Sequence, residues 1–439
     1  MRKNVFSFMV LAIALALALA VTACGKTASE QGKGAQAPAS AQPIKIGVVG
    51  PMGFVQGEHH WLGATMVAEE INKAGGIKVG DKMRPVEVVK IDTNEINSVT
   101  DAASAVERAL TVDKVNFLVG GFRTEAVLAM QEVAMDYKTI FMGCGAAHTE
   151  LCDRVEKNYD RFKYWFRVTP LNSNLLAKVD FLLLAEAAKA LREQLGIQKP
   201  KVAHLAEKAA WADPIVAAAE KTIPQMGMEL VGTWRPSATA TDVTAELNAI
   251  KDSGAQIIFA TLSGPVGVVV GRQWGELQIP AMPVGIFVEA QKKGWLEATG
   301  GKGNYVATMN TYARTAMTDK TISFYDAFVQ RSGQFPTYNA GTYEAINILK
   351  EAIEKAGTLE ADALIKVLES ETFIGTAGKL KFDKKHDVTF GPGFVTSVGT
   401  QWQDGELVMF WPNGWEGVTY PGAKPYKLAP WLVEKYKKK

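Results

Sequence analysis

Gly47, Gly50 and Gly53 accompany a short β-branched run, Ile46-Gly47-Val48-Val49, and lead towards a helix-forming stretch. A glycine loop between a strand and a helix start is where open α/β sheets receive phosphate groups on backbone amides. Here the spacing is GxxGxxG, Pro51 removes one amide, and no lysine follows in a GK[ST] arrangement. These residues argue against a nucleotide and leave the loop to another occupant. The histidines His59, His60, His148, His204 and His386 form neither an HxxxH nor an HExxH pattern. On a helix, the adjacent His59 and His60 would point about 100° apart, a poor pair for a metal. No GxSxG elbow offers a nucleophile, and Glu69, Glu70 and Glu344 fall in helical stretches as solvated-face residues. The expectation is a binder without metal or cofactor, not an enzyme.

The elements that must carry such a site alternate regularly. Apolar runs at 46–49, 86–91, 117–119 and 139–142 read as strands, and 61–73, 98–110 and 125–136 as the helices between them. Four β-α alternations predict a parallel, doubly wound sheet. After Pro170 the pattern restarts, with a long helix over 173–195 and strands at 202–205, 230–234 and 257–261. Helices are expected at 215–225, 243–253 and 266–274. Further helices at 322–331, 343–356 and 361–369 precede short strands at 379–382, 394–398 and 407–411. The fold class is therefore α/β: two doubly wound lobes joined by a multi-strand hinge, with a ligand cleft between them. Residues 43–168 plus 309–376 are expected to form lobe 1, and 169–308 plus 377–420 lobe 2, leaving 421–439 as a tail.

A chain of 439 residues can build two cores, and a net charge of +2 with 21% charged residues gives no nucleic-acid signature. Its basic end, Lys435 to Lys439, reads as a solvated, frayed terminus. Arg2 and Lys3 precede an apolar segment too short to span a bilayer comfortably, so 1–23 reads as a signal peptide. Val21-Thr22-Ala23-Cys24-Gly25 resembles a bacterial lipobox, which implies a lipidated Cys24 and an extracytoplasmic, membrane-anchored chain, in the periplasm or at the cell surface. Residues 24–42, rich in Ala, Gly, Ser, Gln and Pro, would then be a flexible tether reaching about 20–25 Å. In an oxidising compartment Cys144 and Cys152 have two open outcomes, a disulfide across the short loop or free thiols.

Taken together, the motifs resemble those of substrate-binding lipoproteins of branched-chain amino-acid ABC transporters, with the type I periplasmic-binding fold. The marks are Val49-Gly50-Pro51 with Gly57 and Gly63-Ala64, then Ile71-Asn72-Lys73-Ala74-Gly75-Gly76-Ile77. Val119-Gly120-Gly121, Phe166-Arg167, Gly375-Thr376-Ala377-Gly378, Trp402-Gln403-Asp404-Gly405 and Trp411-Pro412 continue the pattern. The resemblance implies a small organic solute held in the cleft: a branched or aromatic amino acid, or a related carboxylate or amide. It implies partnership with membrane permease subunits and a monomeric chain. A sensory module using the same closure is the alternative.

Transferred by position, the resemblance implies ligand contacts from Gln56 and Trp61 in the opening stretch. Phe122, Arg123 and Thr124 follow in the next loop, with Gly145 and Ala147 after the fourth strand. In the second lobe it implies Trp211, Ser263, Phe287 and Glu289. The family's hydroxyl is replaced by Ala147, and Phe287 stands where an acidic residue holds an α-ammonium group, leaving Glu289 as the nearest carboxylate. A buried ammonium without a counter-charge costs several kcal/mol. The expected ligand is therefore flatter and more apolar than an α-amino acid unless Glu289 takes that role.

Overall fold

The computed structural model describes residues 42–437. The expected signal peptide, Cys24 and nearly all of the tether lie outside the described residues. The first sheet is parallel, in the order Val86–Asp92, Ile44–Gly50, Phe117–Gly120, Phe141–Gly143, Trp165–Arg167. A second parallel sheet runs Met282–Phe287, Ile257–Leu262, Lys201–Ala206, Glu229–Trp234. The central strands Phe117–Gly120 and Ile257–Leu262 are buried at every residue, as parallel sheets covered on both faces require. Pro283 is accommodated because its strand lies at a sheet edge.

Both sheets reverse their strand order once. In the first the reversal falls between Ile44–Gly50 and Phe117–Gly120; in the second it falls between Lys201–Ala206 and Ile257–Leu262. The crevice outside the carboxyl ends at such a reversal is where open α/β sheets bind ligands.

Helix Val55–Lys73 packs against Thr342–Ala356, so the chain revisits the first lobe after building the second. The long helix Ser173–Leu195 is capped by Asn172, whose Oδ1 accepts the Leu175 amide at 3.0 Å, and it stops at Gly196 with φ +68°. A three-stranded antiparallel sheet, Ala307–Asn310, Val398–Gln403 and Glu406–Trp411, follows the second lobe. Crossovers at 168–171 and 311–312 meet residues 377–397 around a small cavity of about 20 Å³ beside Glu344. Glu344 is buried rather than on the solvated helix face expected of it, because its helix turns that side towards the crossovers.

Several expectations need correction. The first helix begins at Val55, not at residue 61, because the Phe54 amide closes a turn onto the Pro51 carbonyl at 2.9 Å and the helix starts at once. Gly57 thus lies inside the first helical turn, pressed against the Pro51 carbonyl where a Cβ would not fit. Residues 383–388, expected in lobe 2, pack on the first sheet: the Arg167 amide donates to the His386 carbonyl at 2.9 Å, and His386 Nδ1 lies 2.8 Å from the Trp165 carbonyl oxygen. The tail is not frayed through residue 436. Helix Pro430–Tyr436 covers the second lobe, with Trp431 Nε1 donating to the Ile279 carbonyl at 2.9 Å. Strand Val398–Gln403 replaces the one expected at 394–398.

No disulfide joins Cys144 and Cys152; both thiols are free and buried. Cys144 Sγ faces the Met142 carbonyl, whereas Cys152 Sγ faces that of His386 on a returning segment. Burial pushes the Cys152 thiol up to about 12 and that of Cys144 higher still, so both stay protonated.

Candidate ligand cleft

The chain leaves the first sheet after Trp165–Arg167 and starts the second-lobe helix at Ser173, whose amide donates to the Ala147 carbonyl at 2.8 Å. It leaves the end of the second sheet through Ala307–Asn310, where Thr308 Oγ1 accepts the Phe287 amide at 3.2 Å. Carboxyl-end loops of both sheets therefore lead into the crossovers.

In the first lobe Gly120 and Gly121 take φ +114° and +78°, conformations that favour glycine, and turn the chain into Phe122-Arg123-Thr124. Gly145 packs directly on this turn; an added Cβ would strike the Gly121 carbonyl. Phe122 and Thr124 are half-buried and Arg123 is exposed. Arg123 Nη1 donates to the Ile96 carbonyl at 2.8 Å, and its Nε meets Glu125 at 3.2 Å. Beneath lies Glu95, fully buried, whose Oε2 accepts the amides of Phe122 at 3.0 Å and Arg123 at 2.7 Å. Burial raises its carboxyl above the ordinary range despite those bonds.

The 144–149 loop is held from below by Arg167, also fully buried. Its Nη1 donates to the Ala146 carbonyl and its Nη2 to that of His148 at 2.7 Å, while its Nε lies 3.0 Å from Asp387. His60 Nε2 sits 3.2 Å from the Cys144 carbonyl oxygen and 3.0 Å from the Asn339 amide nitrogen. His59 Nδ1 lies 2.8 Å from Thr337 Oγ1. Burial lowers both imidazoles to about 4, so they are neutral packing groups with separate partners.

In the second lobe Glu207 repeats the arrangement. It is 1% exposed; Oε2 accepts the amides of Ser263 at 2.9 Å and Gly264 at 2.7 Å. Its Oε1 accepts Ser263 Oγ at 2.6 Å and Trp211 Nε1 at 2.8 Å. Burial alone would raise this carboxyl, but the hydrogen bonds outweigh it and hold it below the usual range. Trp211 thus has a fixed edge, with 39% of its surface exposed.

The sequence-derived residues separate accordingly. Phe122, Arg123, Thr124, Gly145 and Ala147 gather at or beside the first reversal, and Trp211 and Ser263 at the second. Gln56 is half-buried in the first turn of Val55–Lys73, next to the exposed Phe54. Two residues stand elsewhere. Trp61 packs under Lys90, whose Nζ lies 5.6 Å from the ring, on the flank formed by strand Val86–Asp92. Phe287 is fully buried, edge-on to Trp295 at 5.4 Å, and belongs to the core rather than to a cleft wall. Glu289 packs against Gly267 in the first turn of helix Val266–Glu276, beside the second reversal, and meets the exposed Lys292 Nζ at 2.7 Å. Sequence reasoning missed Glu95 and Glu207. The available signal was an acidic residue just past a buried strand, clearest in Ala206-Glu207.

A periplasmic binding protein family model matches residues 43–405. A Leu/Ile/Val-binding protein homolog of Brucella abortus (strain 2308) is 23% identical over 389 residues, covering 86% of this chain and 93% of the relative. The leucine-, isoleucine-, valine-, threonine- and alanine-binding protein of Pseudomonas aeruginosa is 25% identical over 80% of this chain and 88% of its own. A Silicibacter pomeroyi structure provisionally assigned to a branched-chain amino acid ABC transporter superposes with TM-score 0.75 at 20% identity, covering 89% of this chain and all of that one. A Rhodopseudomonas palustris BisB5 solute-binding protein, solved with 3,4-dihydroxybenzoic acid, gives TM-score 0.63 at 20% identity, covering 87% and 98% of the two chains. This chain belongs to the periplasmic binding protein family, as an extracytoplasmic solute-binding protein and not an enzyme.

Proposed function

We propose that the chain captures a small organic solute with a flat or branched apolar body and hands it to permease subunits. Trp211 carries this reading: a large, partly exposed indole with its polar edge already bonded stands at one reversal point, while Phe122 and Thr124 stand at the other. Only a closed form touches ligand with both lobes, so ligand shifts the population towards closure. Relatives named for leucine, isoleucine and valine, and a structural neighbour holding an aromatic acid, bracket the solute class. Cys24 is the proposed lipid anchor, and its replacement by serine should release the protein from membranes.

A thermal-shift panel of branched and aromatic amino acids, aryl carboxylates and aryl amides tests the reading. At a hundredfold excess over Kd a ligand adds about 2.7 kcal/mol to the native state. A saturable rise with an aryl or branched compound supports it. A panel without any response, or turnover of a bound compound, overturns it.

A further inference from the structure

At each reversal point a pair of successive backbone amides is already bonded to a buried carboxylate of the chain itself. Glu95 receives Phe122 and Arg123 in the turn before helix Thr124–Asp136; Glu207 receives Ser263 and Gly264 in the turn before helix Val266–Glu276. Paired amides at a helix start would otherwise be a ready receptor for an anion. Both carboxylates are excluded from solvent, and each has a further partner on its other oxygen: Thr93 Oγ1 at 2.9 Å for Glu95, and Ser263 Oγ with Trp211 Nε1 for Glu207. The two sheets reach this result independently. Glu95 stands three residues past the end of edge strand Val86–Asp92, whereas Glu207 directly follows the central strand Lys201–Ala206.

We propose that Glu95 and Glu207 are specificity-determining positioning residues that act as built-in anions. They close the amide pairs of both reversal points to a solute's carboxylate, and Glu207 also fixes the face that Trp211 offers. The polar end of the solute must then be read by other donors of the cleft. This specificity consequence rests on the solute-cleft reading above, whereas occupancy of the amide pairs does not.

The test needs no solute. In the full chain, Glu207→Ala vacates the Ser263 and Gly264 amides, and acetate is the probe. The variant is expected to melt several degrees below the parent and to recover most of that loss, saturably, in tens of millimolar acetate. Sodium chloride at equal ionic strength should not reproduce the recovery, and acetate should leave the parent unmoved. Amide resonances of Ser263 and Gly264 should shift in the variant and return towards their parent positions with acetate, a response that lost packing alone would not produce. Glu95→Ala, read at Phe122 and Arg123, repeats the test in the other lobe should the first variant fail to fold. An equal acetate response in the parent, or variants that acquire none, overturns the proposal. Because no cleft ligand is used, failure here is distinguishable from a silent solute panel.

Discussion

Arg167 and Asp387, distant in sequence, form a buried ion pair with Nε and Oδ1 3.0 Å apart, and the pair connects the 144–149 loop to the second lobe. On one side Arg167 holds the carbonyls of Ala146 and His148; on the other, Asp387 Oδ2 accepts Asn172 Nδ2 at 3.1 Å, beside the start of helix Ser173–Leu195. A shift of the loop is therefore felt at the helix cap. Removing one member of such a pair leaves an uncompensated buried charge. Arg167→Met is expected to lose about 3–5 kcal/mol in denaturant unfolding, and the double variant Arg167→Met/Asp387→Leu markedly less than the sum of the two single losses.

The closing helix gives a second expectation. Leu432 is fully buried, and Trp431 packs on Trp274 with ring centroids 5.0 Å apart. Leu432→Ala should cost about 2–5 kcal/mol, read from the shift in the urea midpoint. A freely frayed tail would show no loss.

That helix also shows where sequence reading stops. The β-α alternation was legible because parallel strands buried on both faces must be apolar throughout, as in Phe117–Gly120 and Ile257–Leu262. Val398–Gln403 was not, because its polar side chains are satisfied by distant partners: Gln401 Nε2 donates to the carbonyls of Tyr305 and Lys427, both at 2.9 Å. Pattern cannot foresee such bonds. The site divided in the same way. Loop residues such as Thr124 and Trp211 came from the family resemblance, and both stand just past the carboxyl ends of strands. The inward fate of Phe287 depends on Trp295, which the spacing of apolar residues does not locate. Glu95 and Glu207 belong to no motif; what they do depends on amides supplied by turns distant in sequence.

Glu344 makes stability depend on pH in a definite direction. It is 3% exposed beside the crossovers, its Oε1 accepts the Thr376 amide at 2.7 Å, and burial raises its carboxyl above the ordinary 4.5. Above that value the unfolded chain has released its proton while the folded chain still holds it. The contribution of Glu344 to stability therefore falls as pH rises, until the folded group ionises, by at most about 1.4 kcal/mol per pH unit. Glu344→Gln keeps an acceptor for Thr376 and removes the titration. The difference in unfolding free energy between variant and parent should move in favour of the variant as pH increases from 5 to 8. A difference independent of pH would show that the carboxyl titrates alike in both states.

His204 works in the opposite direction. Its Nε2 lies 3.0 Å from Thr261 Oγ1, and burial lowers the imidazole from 6.5 to about 4. Between those values the unfolded chain takes up a proton that the folded chain refuses, so acidification through this window destabilises the fold. His204→Gln should start from a lower stability at neutral pH. It should lose less than the parent as pH falls from 6.5 to 4.5, measured by urea unfolding at each pH.

Trp211 separates binding from stability. With 39% of its surface exposed, its indole adds little to the core, and Glu207 retains the Ser263 and Gly264 donors when the indole is gone. Trp211→Ala should therefore change unfolding free energy by no more than about 1 kcal/mol. Affinity for a panel compound that stabilises the parent should fall about tenfold or more, because a rigid aromatic face is lost from one side of the cleft. Trp211→Phe keeps a ring but loses the bond to Glu207 that orients it. An intermediate affinity for Trp211→Phe would assign part of the effect to the ring and part to its orientation. Equal affinities for all three proteins would remove Trp211 from the binding surface.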